Sequence, residues 1–375
     1  MKIAIEAQRL FRKKKHGMEI VALEIIKELQ KINTDDQFFI LAKDDEDDRC
    51  LPLNKNFLVK KITAKLYPYW EQVKLPQVIK KIKPDLLHCT ANTAPLFIST
   101  PLVITIHDVI YMESVNFSGS SYQNFGNLYR KFIVPKVARK AKVIITVSEF
   151  EKKVIAKKLQ VPEEKIRVIY NAVNPQFKRI SSAGLLPFKN KYHLPDKFIL
   201  HFGNTAPKKN TIGVLKAYAH YQNDNNKNKF ALVITDCSRG YIEGLLKEIN
   251  QPALLKSIHI LTYISFTEVP HLYNLANVFL YPSHRESFGM PVVEAMACGI
   301  PVITSNTSAL PEIAGDAAIL IDPKNAVEIA AQIHNLENDS ELYNYYKEKG
   351  LINATRFNWN KAACKILKIY KELAQ

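Results

Sequence analysis

Short apolar runs alternate with longer amphipathic stretches along most of the 375-residue chain. The runs of the first half are rich in Ile and Val on both faces, which is typical of strands buried in a parallel sheet. They cover residues 2–7, 38–42, 85–89, 102–107 and 143–148. Helices are predicted from the amphipathic stretches at 18–31, 69–82, 122–140 and 149–159. This alternation predicts a sheet with helices on both faces.

The alternation breaks over 174–196, a stretch with three prolines, and this segment is interpreted as an interdomain linker. Strands are predicted again at 197–203, 230–236, 257–261, 277–283, 300–304 and 317–322. Helices are predicted at 210–221, 239–249, 290–298, 325–337, 340–354 and 358–374. The sequence therefore predicts an α/β protein of two doubly wound, Rossmann-like halves. Such an arrangement places a ligand cleft between the carboxyl ends of the two sheets.

Composition excludes several other classes of protein. No run of about 20 uninterrupted apolar residues is present, which argues against a membrane-spanning helix. The chain starts directly with a strand pattern and shows no apolar signal-peptide region. Its five cysteines are scattered and never spaced as Cys-x-x-Cys, which argues against a disulfide framework or a zinc site. We therefore expect a cytoplasmic protein with free thiols.

The charge is strongly basic and unevenly divided. The net charge is +16, and residues 1–190 carry 33 Lys+Arg against 19 Asp+Glu. The remaining residues carry 19 against 17. An acidic partner is expected for the first half: nucleic acid, an anionic membrane or a phosphorylated substrate. A nucleic-acid partner is not expected, because the sequence shows neither an aromatic RNA-binding motif nor a helix-turn-helix pattern.

The densest cluster of candidate chemistry lies at 281–304, where a strand, a polar loop and a helix follow one another. Gly289, Met290 and Pro291 open the helix, and the amides of a helix N-terminus suit a phosphate. Glu294 falls one turn inside that helix, well placed for the diol of a ribose. Glu286 lies in the loop before it, where a sugar could meet it.

The segment from Ser287 to Val302 closely resembles the Glu-x7-Glu signature of the group 1, family 4 retaining glycosyltransferases. Other segments with family-like patterns are 102–111, 145–150, 165–174, 203–210 and 308–323. The resemblance implies the GT-B fold, in which two Rossmann-like domains face each other across a cleft. It also implies that the final helix returns to the first domain. The expected divisions are an acceptor-binding domain at 1–185, a nucleotide-sugar-binding domain at 186–355 and the returning helix at 356–375.

The resemblance assigns roles to individual residues. Glu286, His107 and Lys209 are the expected catalytic residues, and Lys208 and Lys209 would stabilise the diphosphate leaving group. Glu294 would bind the ribose. The remaining expected donor-binding residues are Gly17, Gly203, Asn204, Ser287, Phe288, Gly289, Met290 and Pro291. The sequence departs from the family pattern in having one glycine, Gly17, in the first loop and Lys208 where an arginine is common, so phosphate recognition is expected to be looser.

No metal ion or separate cofactor is expected. The acidic run at 44–48 is interpreted as a solvated loop rather than as an Asp-x-Asp manganese motif. GT-B enzymes typically lack a catalytic metal, which is consistent with lysines stabilising the leaving group. A Rossmann dehydrogenase would need Gly-x-Gly-x-x-Gly after the first strand, and this chain lacks it.

The expected reaction transfers a hexose, such as mannose or glucose, from a UDP- or GDP-linked donor to a hydroxyl of a glycan or lipid-linked acceptor. Its expected setting is the synthesis of a cell-surface polysaccharide or glycan. Three alternatives stay open: a sugar-nucleotide epimerase, a phosphorylase, or a non-catalytic protein that binds sugar nucleotides. The first two share the fold and the donor cleft.

Two segments combine aromatic residues with cations and suggest a peripheral contact with an anionic membrane. Segment 67–83 contains Tyr67, Tyr69 and Trp70 among lysines, and segment 128–142 adds six further cations. Each surface cation contributes on the order of 1 kcal/mol to binding an anionic surface. An ordinary solvated basic face is the alternative interpretation.

Overall fold

The structure, a computed structural model, describes residues 1–32, 35–52, 54–113, 121–223 and 229–374. Contacts divide the chain into two compact units. The first consists of Met1–Asn171 with Asn358–Gln375, and the second of Ala172–Phe357. The second unit thus begins at Ala172 rather than at residue 186, and the C-terminal segment begins at Asn358 rather than at residue 356.

The first unit contains a parallel seven-stranded sheet in the order β3-β2-β1-β4-β5-β6-β7. Its strands are β1 (Lys2–Glu6), β2 (Gln37–Ala42), β3 (Phe57–Lys61), β4 (Leu86–Cys89), β5 (Leu102–Thr105), β6 (Val143–Thr146) and β7 (Ile166–Val168). The central strands are buried along their whole length, as their Ile- and Val-rich sequences predict. Strands β2 and β3 lie on one side of β1, and β4 to β7 lie on the other. The topological switch point is therefore between β1 and β4, and ligands are expected at the carboxyl ends of these two strands.

Helices cover the sheet of the first unit. They are α1 (Gly17–Lys31), α2 (Tyr67–Tyr69), α3 (Leu75–Ile82), α4 (Ser121–Lys140) and α5 (Glu149–Leu159). A π-helical turn, Trp70–Lys74, joins α2 to α3, so the helix predicted at 69–82 is not uniform. The Trp70 ring is fully buried there, and its Nε1 donates to the Ile62 carbonyl at 2.9 Å.

The second unit contains a parallel six-stranded sheet in the order β10-β9-β8-β11-β12-β13. Its strands are β8 (Phe198–Phe202), β9 (Ala231–Thr235), β10 (Ile258–Leu261), β11 (Val278–Tyr281), β12 (Val302–Ser305) and β13 (Ile319–Ile321). Its helices are α6 (Ser182–Lys191), α7 (Thr211–Gln222), α8 (Arg239–Glu248), α9 (Val269–Leu275), α10 (Met290–Ala297), α11 (Leu310–Ala314), α12 (Ala326–Asn338) and α13 (Ser340–Ala354). In this sheet the topological switch point lies between the neighbouring strands β8 and β11.

The segment interpreted as a linker contains helix α6 and belongs to the second unit. Leu185 and Phe188 of this helix are buried, and the Phe188 ring stacks on His271 of α9 at a centroid distance of 5.5 Å. Burial of these two side chains outweighs the proline at 187 and the local serines and glycine. The linker interpretation was therefore wrong over α6.

The final helix, α14 (Trp359–Leu373), packs against α1 in the first unit. Its Tyr370 is fully buried, and the hydroxyl lies 2.5 Å from Nδ1 of His88 on β4. Burial lowers the pKa of His88 to about 3, so its ring is neutral. The prediction that the final helix returns to the first domain is confirmed.

Across the part of the chain that the structure describes, no helix has the length and the apolar character needed to cross a bilayer. The uneven charge follows the two units. The first unit carries 34 Lys+Arg against 20 Asp+Glu, and the second carries 18 against 16.

Candidate active site

The candidate site of the second unit lies where the sheet order reverses. Strands β8 and β11 are neighbours there, and β9 lies on the other side of β8. The loops that leave the carboxyl ends of β8 and β11 carry most of the residues predicted to bind the donor. Parallel sheets bind ligands at this position because the two loops diverge and leave a crevice.

The loop after β8 begins with a close backbone approach at Gly203. A Cβ atom there would lie 2.6 Å from Cys237 Sγ and 2.8 Å from the Thr235 carbonyl oxygen, so only glycine fits. The exposed Asn204 follows, and its side-chain oxygen accepts from the Ala206 amide at 2.8 Å. This turn directs the chain into the short helical segment that carries the two candidate lysines.

Asn210 joins the loop after β8 to two other loops of the second unit. Its backbone is left-handed, with φ of 58°, a conformation that asparagine tolerates better than most residues. Its buried side-chain amide donates to the carbonyls of Pro282 at 3.0 Å and Pro323 at 2.7 Å. These bonds fix the position of Lys209 relative to the loop after β11.

Lys209, Tyr281 and Glu286 form one hydrogen-bonded cluster. The Lys209 Nζ atom lies 2.7 Å from Glu286 Oε1 and 2.5 Å from the Tyr281 hydroxyl. The Tyr281 hydroxyl donates to the same Glu286 oxygen at 2.9 Å. Two predicted catalytic residues that are far apart in sequence are thus brought into direct contact. The cluster combines a cation, a carboxylate and a phenol at the carboxyl end of β11.

Backbone bonds hold the loop after β11 in place. The Glu286 amide donates to Ser308 Oγ at 3.1 Å, and Ser308 itself is left-handed with φ of 58°. The His284 amide donates to the Lys208 carbonyl at 2.8 Å, which ties the two lysines to this loop. The Lys208 side chain is half-buried and makes no hydrogen bond or ion pair with another residue of the described ranges.

Helix α10 begins at Met290, and Gly289 before it is left-handed with φ of 97°. Pro291 occupies the first turn, where the missing N–H would have no partner in the helix. The amides of this first turn and the helix dipole favour an anion, and the binding of a phosphate here stays a prediction. The side chains of Ser287 and Phe288 precede this turn. Phe288 is buried, and its ring packs edge-on against Phe357 at 5.4 Å, so that ring supports the loop from the interior.

Glu294 lies one turn inside α10 and pairs with a tyrosine that the sequence analysis did not identify. The Tyr273 hydroxyl donates to Glu294 Oε2 and to the Pro291 carbonyl, both at 3.1 Å. Burial raises the pKa of Glu294 from 4.5 to about 7, although the hydrogen bond from Tyr273 lowers it. The carboxyl is therefore partly protonated at neutral pH and can donate as well as accept.

Two predicted residues belong to the first unit. His107 follows β5 and is buried, its Nε2 lies 3.0 Å from the Thr90 carbonyl, and its backbone N–H donates to Asn92 Oδ1 at 2.7 Å. Because a carbonyl only accepts, Nε2 carries the proton and Nδ1 is the free acceptor. Burial lowers the pKa of His107, which favours this neutral ring. Gly17 is the exposed first residue of α1.

Tyr281 and Tyr273 are the site residues that the sequence analysis missed. Tyr281 is the last residue of strand β11. A tyrosine hydroxyl at the end of a strand, next to the candidate loop, could have indicated a site residue. Tyr273 lies 21 residues before Glu294 on another helix, and no local pattern links the two. Only the tertiary structure brings this hydroxyl of α9 within 3.1 Å of the carboxyl on α10.

The acidic run at 44–48 is engaged by lysines. Asp47 pairs with Lys15, Glu46 with Lys13, and both Asp44 and Asp48 with Lys61. Within the described ranges, no group of three or more His, Cys, Asp or Glu side chains is arranged to hold a metal ion. The expectation of metal independence stays a prediction.

Two family models match the chain. The model described as glycosyl transferases group 1 matches residues 185–352, and the model for glycosyltransferase family 4 matches residues 16–177. O-antigen chain mannosyltransferase B of Escherichia coli is 32% identical over 235 residues, which are 62% of this chain and 61% of that protein. O-antigen chain mannosyltransferase RfbU of Salmonella typhimurium is 29% identical over 272 residues, covering 72% of this chain and 70% of that protein.

The fold is shared with solved structures. The Anabaena protein Alr3699/HepE, solved in complex with UDP and glucose, matches 99% of this chain and 100% of its own with a TM-score of 0.75 and 19% identity. Two parallel sheets of seven and six strands together with this likeness identify the two-domain GT-B fold. The two family models and the relatives agree, and the chain belongs to the group 1, family 4 glycosyltransferases.

Proposed function

We propose that the protein is a retaining glycosyltransferase that moves a hexose from a nucleoside diphosphate sugar to an acceptor hydroxyl. The main support for this proposal is the contact of Lys209 with Glu286 in the second unit, at the carboxyl ends of the neighbouring strands β8 and β11. Lys209 supplies a cation for a diphosphate and Glu286 a carboxylate for a sugar, and Glu286 lies four residues before α10, whose N-terminus favours an anion.

The lysines supply the electrostatic part of the reaction. Lys209, with Lys208 beside it and the first amides of α10, stabilises the negative charge that develops on the leaving diphosphate. Because Tyr281 and Glu286 hold the Lys209 ammonium in place, little reorganisation is needed as charge develops. No metal ion is required in this proposal, so activity is expected to persist in EDTA.

The two glutamates bind the two sugars of the donor. Glu286 lies in the loop before α10 and accepts hydrogen bonds from hydroxyls of the transferred hexose. Glu294 binds the ribose diol, and its raised pKa lets the carboxyl both donate and accept. His107 would contact the hexose through Nδ1, the ring nitrogen left free by the bond to Thr90.

The chemical step is a substitution on one face of the hexose. The bond from the anomeric carbon to the diphosphate oxygen breaks, and a bond to the acceptor oxygen forms on the same face. The acceptor's proton passes to the leaving phosphate oxygen. The products are a nucleoside diphosphate and an extended glycan with the anomeric configuration of the donor.

The relatives support a more specific setting. Two of them are named as O-antigen chain mannosyltransferases, which favours a mannosyl donor and a role in polysaccharide synthesis. HepE was solved with UDP and glucose, so UDP-linked glucose is the second donor to test. Thermal-shift measurements with UDP and GDP would identify the base, because a bound ligand raises the melting temperature.

The direct test replaces Lys209 by alanine and compares it with a lysine outside the site. Lys209→Ala is expected to lower turnover at saturating donor by roughly 100-fold or more, the scale seen when a transition-state stabilising group is lost. The matched control is Lys216→Ala, which removes the same charge from an exposed position on α7. Its turnover is expected to stay near wild type.

A companion variant, Glu294→Ala, is expected to raise KM for the donor more than it lowers turnover, because it removes binding to the ribose. Near wild-type turnover and KM in both Lys209→Ala and Glu294→Ala would refute the proposed site. A product with inverted anomeric configuration would refute the retaining mechanism.

A peripheral contact with an anionic membrane remains part of the proposal, with a corrected set of residues. Trp70 is buried and Tyr67 donates its hydroxyl to Glu71, so neither ring is available to a lipid surface. The exposed apolar side chains of this region are instead Leu66, Tyr69, Val73, Phe97, Phe125, Leu128 and Phe132. Lys74 Nζ lies 5.7 Å from the centre of the Tyr69 ring and Lys136 Nζ 3.2 Å from that of Phe132, which suits an anionic bilayer surface.

Hydrogen bonds join the segments that carry these side chains. Gln72 Nε2 donates to the Tyr129 hydroxyl at 2.8 Å, and the Leu96 amide donates to Gln72 Oε1 at 2.9 Å. Lys140 Nζ donates to the Leu96 carbonyl at 2.8 Å. The segment after α2, the loop around residue 97 and helix α4 are thus in contact within the first unit, and each carries some of these exposed apolar side chains.

Vesicle flotation tests this surface. Wild type is expected to float with anionic vesicles in low salt, and Leu128→Ser is expected to weaken binding. The control is Ile352→Ser in the second unit, because both side chains are 67% exposed. Equal effects of the two variants, or no salt-sensitive flotation of the wild type, would refute the membrane contact.

A further inference from the structure

A second concave site lies in the first unit, at the carboxyl ends of β1, β2 and β3. These strands are neighbours in the sheet, and residues of the loops that follow them line an open cavity. Basic side chains dominate its lining, which includes Arg9, Arg12, Lys43 and Lys65 together with Asp45 and Tyr67. Neither the family models nor the predicted donor residues assign a role to this cavity.

The charge of the cavity is not compensated by the acidic loop beside it. Of the run at 44–48, only Asp45 lines the cavity. Its neighbours in the run pair with lysines that do not line the cavity, such as Lys61 and Lys15. The result is four cations facing one carboxylate.

Three of these cations have no acidic partner. Arg12, Lys43 and Lys65 form no ion pair with any residue that the structure describes. Lys43 and Lys65 are exposed, so their heads can turn to a ligand at little cost to the fold. Like charges that converge on one cavity repel each other, and a bound anion relieves this repulsion.

The fourth cation, Arg9, is held in place. Its guanidinium lies 3.7 Å from Glu19 and 5.7 Å from the centre of the Tyr67 ring. The Tyr67 hydroxyl donates to the buried Glu71 carboxylate at 2.6 Å, which fixes the ring. Arg9 therefore presents a preorganised guanidinium to the cavity, and arginine binds phosphate oxygens through two parallel hydrogen bonds.

We propose that this cavity binds a phosphate or diphosphate group carried by the acceptor. The inference rests on the proposed function, since it names the class of acceptor for the same transfer reaction. The expected acceptor is a phosphorylated sugar or a lipid-linked sugar phosphate, and the group recognised is the phosphate in either case.

The test measures binding of glucose 1-phosphate, glucose and inorganic phosphate by calorimetry. The cavity variant is Lys43→Gln/Lys65→Gln, and the matched control is Lys55→Gln/Lys60→Gln, which removes two exposed lysines of the same unit that do not line the cavity. Wild type and control are expected to bind glucose 1-phosphate, and the cavity variant at least about ten-fold more weakly. Glucose is expected not to bind detectably.

The outcomes separate this inference from the proposed function. Thermal stabilisation by the donor nucleotide is expected to be equal in all three proteins, because none of the four substituted lysines is among the proposed donor-binding residues. If the donor nucleotide does not stabilise the wild type, the proposed function is contradicted, whatever the cavity binds. Equal weakening in the cavity and control variants, or inorganic phosphate bound as tightly as glucose 1-phosphate, would overturn the acceptor assignment.

Discussion

Replacing Glu294 by glutamine tests whether burial governs the chemistry of the second unit. The residue is 8% exposed and accepts a hydrogen bond from Tyr273. Burial raises the pKa of its carboxyl from 4.5 to about 7. Glutamine has the same shape and keeps an oxygen for Tyr273, but it does not ionise. The variant therefore separates the free energy of burying the charge from that of burying the side chain itself.

The magnitude follows from the two pKa values. The folded state holds the Glu294 proton more tightly than the unfolded state does. The stabilisation from this proton is complete below pH 4.5 and is lost as the pH rises through about 7. One pKa unit corresponds to about 1.4 kcal/mol, so ionisation costs the folded second unit roughly 3 kcal/mol.

Urea unfolding at about pH 5 and about pH 8.5 measures this cost. Far-UV circular dichroism follows both units, whereas tryptophan fluorescence follows only the first, because Trp70 and Trp359 both belong to it. The free energy of unfolding of the wild type is expected to fall by roughly 2 to 3 kcal/mol more than that of Glu294→Gln between the two pH values. The other titrating groups contribute equally to the free energy of unfolding of both proteins, so their contributions cancel in this comparison.

An identical pH dependence in the two proteins would refute the reasoning. It would mean that the Glu294 carboxyl ionises in the folded protein near its ordinary pKa. If the two units unfold together, fluorescence and circular dichroism report the same transition. The comparison between the proteins then holds for both probes.

Three further substitutions test other parts of the structure by urea unfolding. Gly289→Ala is expected to cost roughly 1 to 3 kcal/mol, because φ is 97° and a Cβ would lie 2.7 Å from Leu310 Cδ2; a neutral effect would contradict the left-handed turn before α10. Asn210→Ala is expected to cost roughly 2 to 3 kcal/mol, since it leaves two carbonyls without their donor, and a loss below 1 kcal/mol would argue against those bonds. Burial raises the pKa of Glu6 to about 7, so its ionisation destabilises the first unit as the pH rises from 4.5 to 7. Glu6→Gln is expected to reduce this loss of stability, which fluorescence measures, and an unchanged loss would contradict the raised pKa.

The strands were predicted well where burial on both faces forces an apolar sequence, as in β5 and β11. Strand β3 was missed because it lies at the sheet edge, and its exposed residues include two lysines. Helix α6 was missed because its local sequence is rich in residues that favour turns. The packing that stabilises it comes from α9, whose contribution is not visible in the local sequence.

The candidate site could be predicted as a list of residues but not as an arrangement. Spacing placed Glu286 before a helix and Glu294 inside it, and both positions are confirmed. The contact of Lys209 with Glu286 spans 77 residues, and it depends on β8 and β11 becoming neighbours. Tyr281 lies only five residues before its partner Glu286, whereas the pairing of Tyr273 with Glu294 follows from tertiary packing alone.

The first unit is built from segments on both sides of the second in the chain. During synthesis, residues 172–357 are complete before α14 exists, so the second unit can fold while the first still lacks a helix. Until then the apolar face of α1 that α14 covers stays open, and His88 lacks its Tyr370 partner. The order of translation therefore leaves the first unit incomplete until its last segment has been made.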